Sequence, residues 1–263
     1  MRAGINVWTW GITSREQFEQ GVKEVADIGY RAVENIASIV TLYEDEPEAF
    51  DGLLAHYGVD FVCGYFHLSG DFDKDFANAE RYLKFLQGRC PKVMNLQAAG
   101  RAKDGVTQAV LAETARQATQ LGELGQRYGT RFCLHPHYAT NVERRHELDY
   151  LMEHVSESVL GLTIDTAHCV LGGMDPVEIA SIYGSRVGYM HIKDIQPIAP
   201  EGAPWFSKFR EIGRGVINFV AVAQELEKAG YEGVLCVELD GPRVSGYKSA
   251  AISYGYLKDE LGL

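Results

Sequence analysis

The sequence has few of the features that mark secreted, membrane-spanning or disulfide-stabilised proteins. Its 263 residues include five scattered cysteines and no C-x-x-C pair, a pattern that favours a reducing cytoplasm over a disulfide framework. No apolar run approaches the roughly 18–20 residues that span a bilayer. The N-terminus also lacks the basic and apolar regions of a secretion signal. We therefore predict a cytoplasmic protein that has no membrane partner.

Clusters of positive charge and glycine-rich phosphate motifs are also missing. The formal net charge is −11, whereas binding a nucleic-acid backbone requires grouped lysines and arginines. Neither a G-x-G-x-x-G turn nor a P-loop occurs, which argues against a flavin or nicotinamide and predicts no nucleotide cofactor. Long polar tracts and linkers are absent, so we predict one domain over residues 1–263.

Short apolar runs rich in β-formers alternate with helical patterns along the whole chain. We predict eight strands: Ala3–Trp8, Tyr30–Glu34, Asp60–Tyr65, Lys92–Leu96, Arg131–His135, Leu160–Ile164, Val187–His191 and Gly233–Leu239. Strict alternation is typical of parallel βα units. The sequence thus predicts the α/β class and a single (β/α)8 TIM barrel. A doubly wound open sheet is the main rival, but it usually has fewer strands and often a glycine-rich phosphate turn.

Polar side chains stand at or just beyond the C-terminal ends of most predicted strands. They are Glu34, His67, Asn95, Gln97, His135, His137, Asp165, His168, His191, Lys193, Glu238 and Asp240. In a TIM barrel these ends meet at one mouth, where active sites lie. Any single member could be a cap or a satisfied hydrogen-bond partner, and Asp165 could simply pair with His168. We do not expect so many polar side chains to meet at one mouth by chance, so the whole set predicts a functional site.

The mixed set of aspartate, glutamate and histidine suits a borderline divalent ion. Mn²⁺, Zn²⁺, Co²⁺ and Fe²⁺ all accept such ligands, whereas a purely oxygen set would have indicated Mg²⁺ or Ca²⁺. We predict one divalent ion at the mouth, with Mn²⁺ as the first choice.

Several segments between residues 131 and 240 resemble the xylose isomerase-like superfamily of sugar isomerases and epimerases. The sequence reads L-H-P-H at 134–137, L-T-I-D-T-A-H at 162–168, H-I-K-D at 191–194 and I-G-R-G-V-I-N-F at 212–219. The chain looks most like the branch that includes the inosose dehydratases. This resemblance implies that Asp165, His191 and Glu238 hold the metal.

The chain departs from the family pattern on the fifth strand. There the resemblance implies a glutamate as the remaining ligand in epimerases, whereas this chain reads F-C-L-H-P-H at 132–137. We take His137 as the preferred substitute and Glu143 as the runner-up. The departure moves the resemblance away from epimerases that use a pair of glutamates.

The site and the resemblance together predict a metal-dependent isomerase or epimerase that enolises a keto-sugar or keto-cyclitol. The alternative is a dehydratase or lyase that eliminates a β-hydroxyl or β-glycosyl group from a keto-inositol or keto-glycoside. Glu143 or Glu238 is the predicted base, and His168, His135 or Lys193 donates to an oxygen, with Lys193 stabilising the enediolate. Predicted substrate-binding residues are Glu34, His67, Asn95, Gln97 and His135.

Two remote functions stay open on the same fold. An endonuclease IV-type repair enzyme would need more histidine and carboxylate ligands and a basic groove, which the acidic balance disfavours. A non-catalytic partner subunit would not need the set of Asp165, His191 and Glu238. The long loop around Trp205 and Phe206 is predicted to be a lid or a subunit contact, which leaves a homo-oligomer open.

Overall fold

The strands of the protein close into one parallel barrel, as predicted. The computed structural model describes residues 1–89, 92–196, 204–241 and 245–263. The strands in chain order are β1 (Arg2–Asn6), β2 (Ala32–Ile36), β3 (Asp60–His67), β4 (Val93–Gln97), β5 (Arg131–Leu134), β6 (Leu160–Asp165), β7 (Val187–Ile192), β8 (Asp194–Ile195), β9 (Phe209–Arg210) and β10 (Val234–Val237). The strands β1–β7 and β10 form the closed barrel, with β10 between β7 and β1. The (β/α)8 architecture is thereby confirmed.

Helices connect the barrel strands. In the described part of the chain they are α1 (Arg15–Ile28), α2 (Pro47–Tyr57), α3 (Phe72–Leu86), α4 (Gln108–Arg127), α5 (Arg145–His154), α6 (Thr166–Leu171), α7 (Pro176–Tyr183), α8 (Phe219–Lys228) and α9 (Gly246–Leu261). Ser14 starts α1 with a capping box in which its side chain accepts from the Gln17 N–H. None of the helices in these ranges is both long and apolar enough to cross a bilayer.

The short strands β8 and β9 lie in the segment that the sequence predicts as a long loop. They form an antiparallel pair outside the barrel, and Trp205–Lys208 makes a 3-10 turn before β9. Residues 197–203 of the predicted loop lie outside the described residues. So does Cys90, whereas the other four cysteines are buried and form no disulfide.

Alternation along the strands fills the barrel interior in layers. The lowest is an apolar cluster of Ala32, Cys63, Tyr189, Val234 and Cys236. Because side chains two positions apart on a strand share a face, the next inward layer is polar and includes Glu34, His191 and Glu238. Gly161 and Gly188 leave room for Cys133, since an added Cβ would lie 2.6 and 2.5 Å from its Sγ atom.

Asp194 anchors the loop that leads from the barrel mouth to α8. Its side chain is fully buried, and its carboxylate accepts backbone N–H groups from Ile195, Gly213, Gly215 and Ile217 at 2.8–3.2 Å. Four donors converge on two oxygens, so this carboxylate satisfies buried backbone N–H groups where the chain turns back past β8.

The substitution Asp194→Asn is expected to lower the free energy of unfolding by about 2–3 kcal/mol, because an NH₂ group would then face buried N–H donors. Chemical denaturation measures the change. Asp175→Asn is the matched control: Asp175 caps α7 by accepting from Val177 N, and asparagine caps a helix as well as aspartate does. Equal losses in the two variants would contradict the anchoring role.

Candidate metal centre

Four buried side chains meet at the C-terminal ends of adjacent barrel strands. His135, Asp165, His191 and Glu238 each offer one ligand atom, and these atoms all lie within 4.8 Å of one another. His135 Nε2 and Glu238 Oε2 each lie 3.0 Å from His191 Nδ1. The four side chains are at most 8% exposed. This arrangement of two carboxylates and two imidazoles matches the donor set of a borderline divalent ion.

The two carboxylates each leave one oxygen without a hydrogen bond from the described residues. Asp165 Oδ1 accepts from His168 N and Glu238 Oε1 accepts from Asn6 Nδ2, at 2.9 and 3.3 Å. The other oxygens, Asp165 Oδ2 and Glu238 Oε2, are buried without such a bond and lie in the group of ligand atoms. The cation beside them among the described residues is Lys193 Nζ, 2.9 Å from Glu238 Oε2 and 3.6 Å from Asp165 Oδ2, and buried carboxylates are paired with a charge or coordinate a metal. These residues therefore fit a bound cation.

Each of the two histidines turns one ring nitrogen toward the other ligand atoms, His135 through Nε2 and His191 through Nδ1. Tyr65 Oη donates to Gln97 Oε1 and lies 3.3 Å from His135 Nδ1, which can then donate to it. His135 Nε2 is thus left with its lone pair. Burial alone would lower the pKa of His191, but Glu34 and Glu238 raise it well above its ordinary value. A cation that binds His191 Nδ1 would accordingly displace a proton.

Lys193 lies beside the group of four and is fully buried. Its Nζ atom is 2.9 Å from Glu238 Oε2, 3.2 Å from Asp240 Oδ2 and 3.6 Å from Asp165 Oδ2. Burial would lower the pKa of Lys193, but these carboxylates raise it above its ordinary value. The ammonium in turn holds the pKa of Asp165 well below its usual range, against the effect of burial. Lys193 is therefore protonated before substrate binds.

A second histidine pair borders the cluster on the side of β9. The rings of His137 and His168 are 3.7 Å apart, and Trp205 lies 5.9 and 5.7 Å from them. Burial lowers the pKa of His137 to about 3 and that of His168 well below its ordinary value. Both rings are therefore neutral. The segment that the sequence predicts as a lid or subunit contact packs its tryptophan against this pair, while Phe206 is exposed.

His135, rather than His137, belongs to the group of four. Strand β5 ends at Leu134, and the chain turns after Pro136, so His137 donates its Nδ1 proton to the Tyr138 carbonyl oxygen at 2.7 Å. Glu143, the other candidate for this position, is also engaged elsewhere. Its Oε2 atom accepts from Ala139 N at 3.0 Å and lies 3.4 Å from Arg101 Nη1.

The predicted substrate-binding residues occupy four different environments. Glu34 and Asn95 are fully buried and hydrogen-bonded to each other at 3.1 Å. Gln97 is part-buried against Tyr65. His67 is exposed and lines a cavity of about 220 Å³ that also borders Tyr65. His135 belongs to the ligand group.

Two residues of the site were not singled out for a role by the sequence. Asn6 bridges two glutamates, with its Nδ2 atom 3.5 Å from Glu34 Oε1 and 3.3 Å from Glu238 Oε1. Tyr65 contacts the rings of both histidines of the group of four, His135 and His191. Both residues could have been found by the criterion that identified the other candidates, a polar side chain near the C-terminal end of a strand. Asn6 ends β1, and Tyr65 lies two residues before the end of β3.

Comparison with known proteins gives one consistent result. The model of a family described as xylose isomerase-like TIM barrel matches residues 22–258. An inosose dehydratase of Geobacillus kaustophilus (strain HTA426) is 24% identical over 272 residues, which cover 91% of this chain and 87% of that protein.

Solved structures agree with this result at the level of the fold. The IOLI protein "with a binding zinc atom" superposes with a TM-score of 0.81 at 16% identity, covering 98% of this chain and 97% of that one. The probable 3-DHS dehydratase AsbF of Bacillus anthracis has a TM-score of 0.79 at 15% identity, covering 99% and 100%. The chain is an enzyme, and it belongs to the xylose isomerase-like TIM barrel family.

Proposed function

We propose that this enzyme is a divalent-metal-dependent dehydratase of a keto-cyclitol or a related keto-sugar. The observation that carries the proposal is the buried group of His135, Asp165, His191 and Glu238 with Lys193 beside it. The names of the curated relatives support elimination of water as the reaction. Mn²⁺ remains our first choice of ion, and Zn²⁺, Co²⁺ and Fe²⁺ suit the same ligands.

The composition of the ligand group favours elimination over epimerisation. Inverting a carbon centre with two bases requires an acceptor on each face of the substrate. The resemblance implies a fifth-strand glutamate as the remaining metal ligand in epimerases that use a pair of glutamates, whereas in this chain the residue that follows β5 in the group of four is His135. Its Nε2 atom is turned toward His191 and Asp165, at 3.0 and 3.5 Å. The isomerase or epimerase reaction therefore becomes the second candidate.

When bound, the ion would supply Lewis acidity that makes the proton next to the substrate carbonyl more acidic. Lys193 is the group that stabilises negative charge on the substrate oxygen as this proton leaves, because its ammonium is buried and pre-positioned. The same Nζ atom can then protonate the β-hydroxyl, which departs as water. One C–H bond and one C–O bond break, one C=C bond forms, and no oxidant is needed.

Asp240 is our choice for the group that accepts the carbon-bound proton. Its side chain is 25% exposed and its Oδ2 atom lies 3.2 Å from Lys193 Nζ. Burial raises the pKa of Asp240, which makes it a stronger base than a surface aspartate. The proton can return from Asp240 to Lys193 after each turnover. The predicted base Glu143 is less suited, because its carboxylate is engaged by Arg101 and the Ala139 N–H.

Incubation with 2-keto-myo-inositol and with simple keto-sugars in D₂O tests this function. The metal-loaded enzyme is expected to release water from the ketocyclitol, and the new C=C bond should be visible in the ¹H spectrum. After the metal is removed by chelation, this product signal should not form. Deuterium incorporation without water loss would favour the isomerase or epimerase. Neither exchange nor elimination with any of these ketones, in protein shown to contain metal, would overturn the proposal.

A further inference from the structure

Glu34 forms a buried contact with one of the proposed metal ligands. Its Oε2 atom lies 2.8 Å from His191 Nε2, and both side chains are fully buried. The other nitrogen of the same imidazole, Nδ1, is turned toward the ligand group and lies 3.0 Å from Glu238 Oε2. His191 thus stands between the Glu34 carboxylate on its Nε2 side and the proposed ion on its Nδ1 side.

The hydrogen bonds around Glu34 determine which nitrogen of His191 carries a proton. Glu34 Oε1 accepts from Asn95 Nδ2 at 3.1 Å, and Asn6 Nδ2 lies 3.5 Å from the same oxygen. The remaining oxygen, Oε2, lies 2.8 Å from His191 Nε2. An ionised carboxylate accepts and does not donate, and the 2.8 Å contact of His191 Nε2 with Glu34 is shorter than its 3.1 Å contact with Asn95 Nδ2, so Nε2 carries a proton. A cation that binds His191 then displaces the proton of Nδ1, while Nε2 keeps the one that it donates to Glu34.

Glu34 also belongs to a second group of donor atoms, together with His191 and Cys236. That group is a poorer place for an ion. Glu34 already makes hydrogen-bond contacts through both oxygens, whereas the carboxylate oxygens that are buried without a hydrogen bond from the described residues belong to Asp165 and Glu238. A separation of 2.8 Å between Glu34 Oε2 and His191 Nε2 is that of a direct hydrogen bond.

We propose that Glu34 is a positioning residue that orients His191 and fixes its Nε2–H tautomer, so that Nδ1 binds the ion. Asn6 and Asn95 hold the carboxylate in place, and Thr163 Oγ1 donates to Asn95 Oδ1 to complete the support. Groups that hydrogen-bond to the outer nitrogen of a ligand histidine typically change metal affinity about 10–100-fold when they are mutated. The inference rests on the metal site of the proposed function.

The test compares Zn²⁺ affinity in two variants by competition with a chromogenic chelator. In Glu34→Gln we expect affinity to fall about 10–100-fold, with one Zn²⁺ per chain retained at saturation. Glu211→Gln is the matched control, because Glu211 is also buried and accepts from Ser249 Oγ at 2.7 Å, without a histidine partner. Its affinity should match that of the unmodified protein. The Co²⁺ absorption spectrum is expected to shift in Glu34→Gln alone.

A second measurement needs no variant and so does not depend on folding of the mutant. Long-range ¹H–¹⁵N spectra of the Zn²⁺-loaded protein are expected to show His191 protonated at Nε2 and metal-bound at Nδ1. Zn²⁺ on Nε2, two ions per chain, or an unchanged affinity in Glu34→Gln would overturn the role of Glu34 and leave the metal site intact. Unmodified protein that binds no Zn²⁺ would instead overturn the metal site, and this role with it.

Discussion

The substitution Asp165→Asn is expected to abolish stoichiometric metal binding and to lower turnover by about 10³-fold. Asp165 Oδ2 is buried without a hydrogen bond, so a cation is its natural partner. Asparagine would keep an acceptor for the His168 N–H but would place a neutral group in the cluster. The loss corresponds to several kcal/mol of Lewis-acid stabilisation, at about 1.36 kcal/mol for each tenfold change in rate.

Metal analysis after dialysis and turnover of the ketone substrate measure the two effects. Glu211→Gln again serves as the control, since it also replaces a buried carboxylate with an amide and should retain the ion and the activity. Circular dichroism should show a folded barrel in both variants. Full metal content in Asp165→Asn would contradict the assignment of Asp165 as a ligand.

The substitution Lys193→Met is expected to separate catalysis from metal binding. Methionine keeps an unbranched chain but removes the ammonium beside Glu238, Asp240 and Asp165. Loss of a pre-positioned cation at the developing oxyanion should lower the rate by about 10²–10³-fold. The ion should still bind, because Nζ no longer competes with it for Glu238 Oε2. This variant thus differs from Asp165→Asn in its metal content.

The same variant should depend on metal for its stability. Without Lys193 and without an ion, buried carboxylates would lack a compensating charge, which costs about 3–5 kcal/mol when one partner of a buried pair is removed. Chelation should therefore lower the melting temperature of Lys193→Met more than that of the unmodified protein. Lys228→Met, which removes a surface lysine paired with Glu225, is the control. Equal effects of chelation in the two variants would contradict the charge-balancing role.

The strands could be predicted from the sequence because they are buried on both faces. The six residues of β6 are all buried, and a strand buried on both faces reads as a continuous apolar run between polar segments. The predicted starts Asp60, Arg131 and Val187 coincide with those of β3, β5 and β7. β1 ends two residues before the predicted Trp8, since the Asn6 side chain caps a 3-10 turn there. That residues 1–263 form one domain stays a prediction.

Most of the site chemistry was visible as polar residues at the strand ends. The structure brings Asp165, His191 and Glu238 together, and these were the expected ligands. The choice between His135 and His137 was not predictable, because both histidines could lie on the inward face of an extended strand. The end of β5 at Leu134 and the turn that follows give them different surroundings.

The sequence by itself determined the barrel, the order of its strands and which strand ends would bring acidic and histidine side chains to the mouth, because alternation and burial are local patterns. Which inward side chains contact one another inside the barrel was decided only by the tertiary structure. The pairing of β2 with β3 slips by one residue between Val33 and Glu34, and bulges of this kind re-aim side chains next to active sites. The contact between Glu34 and His191, which are 157 positions apart in the chain, exists only in the folded barrel.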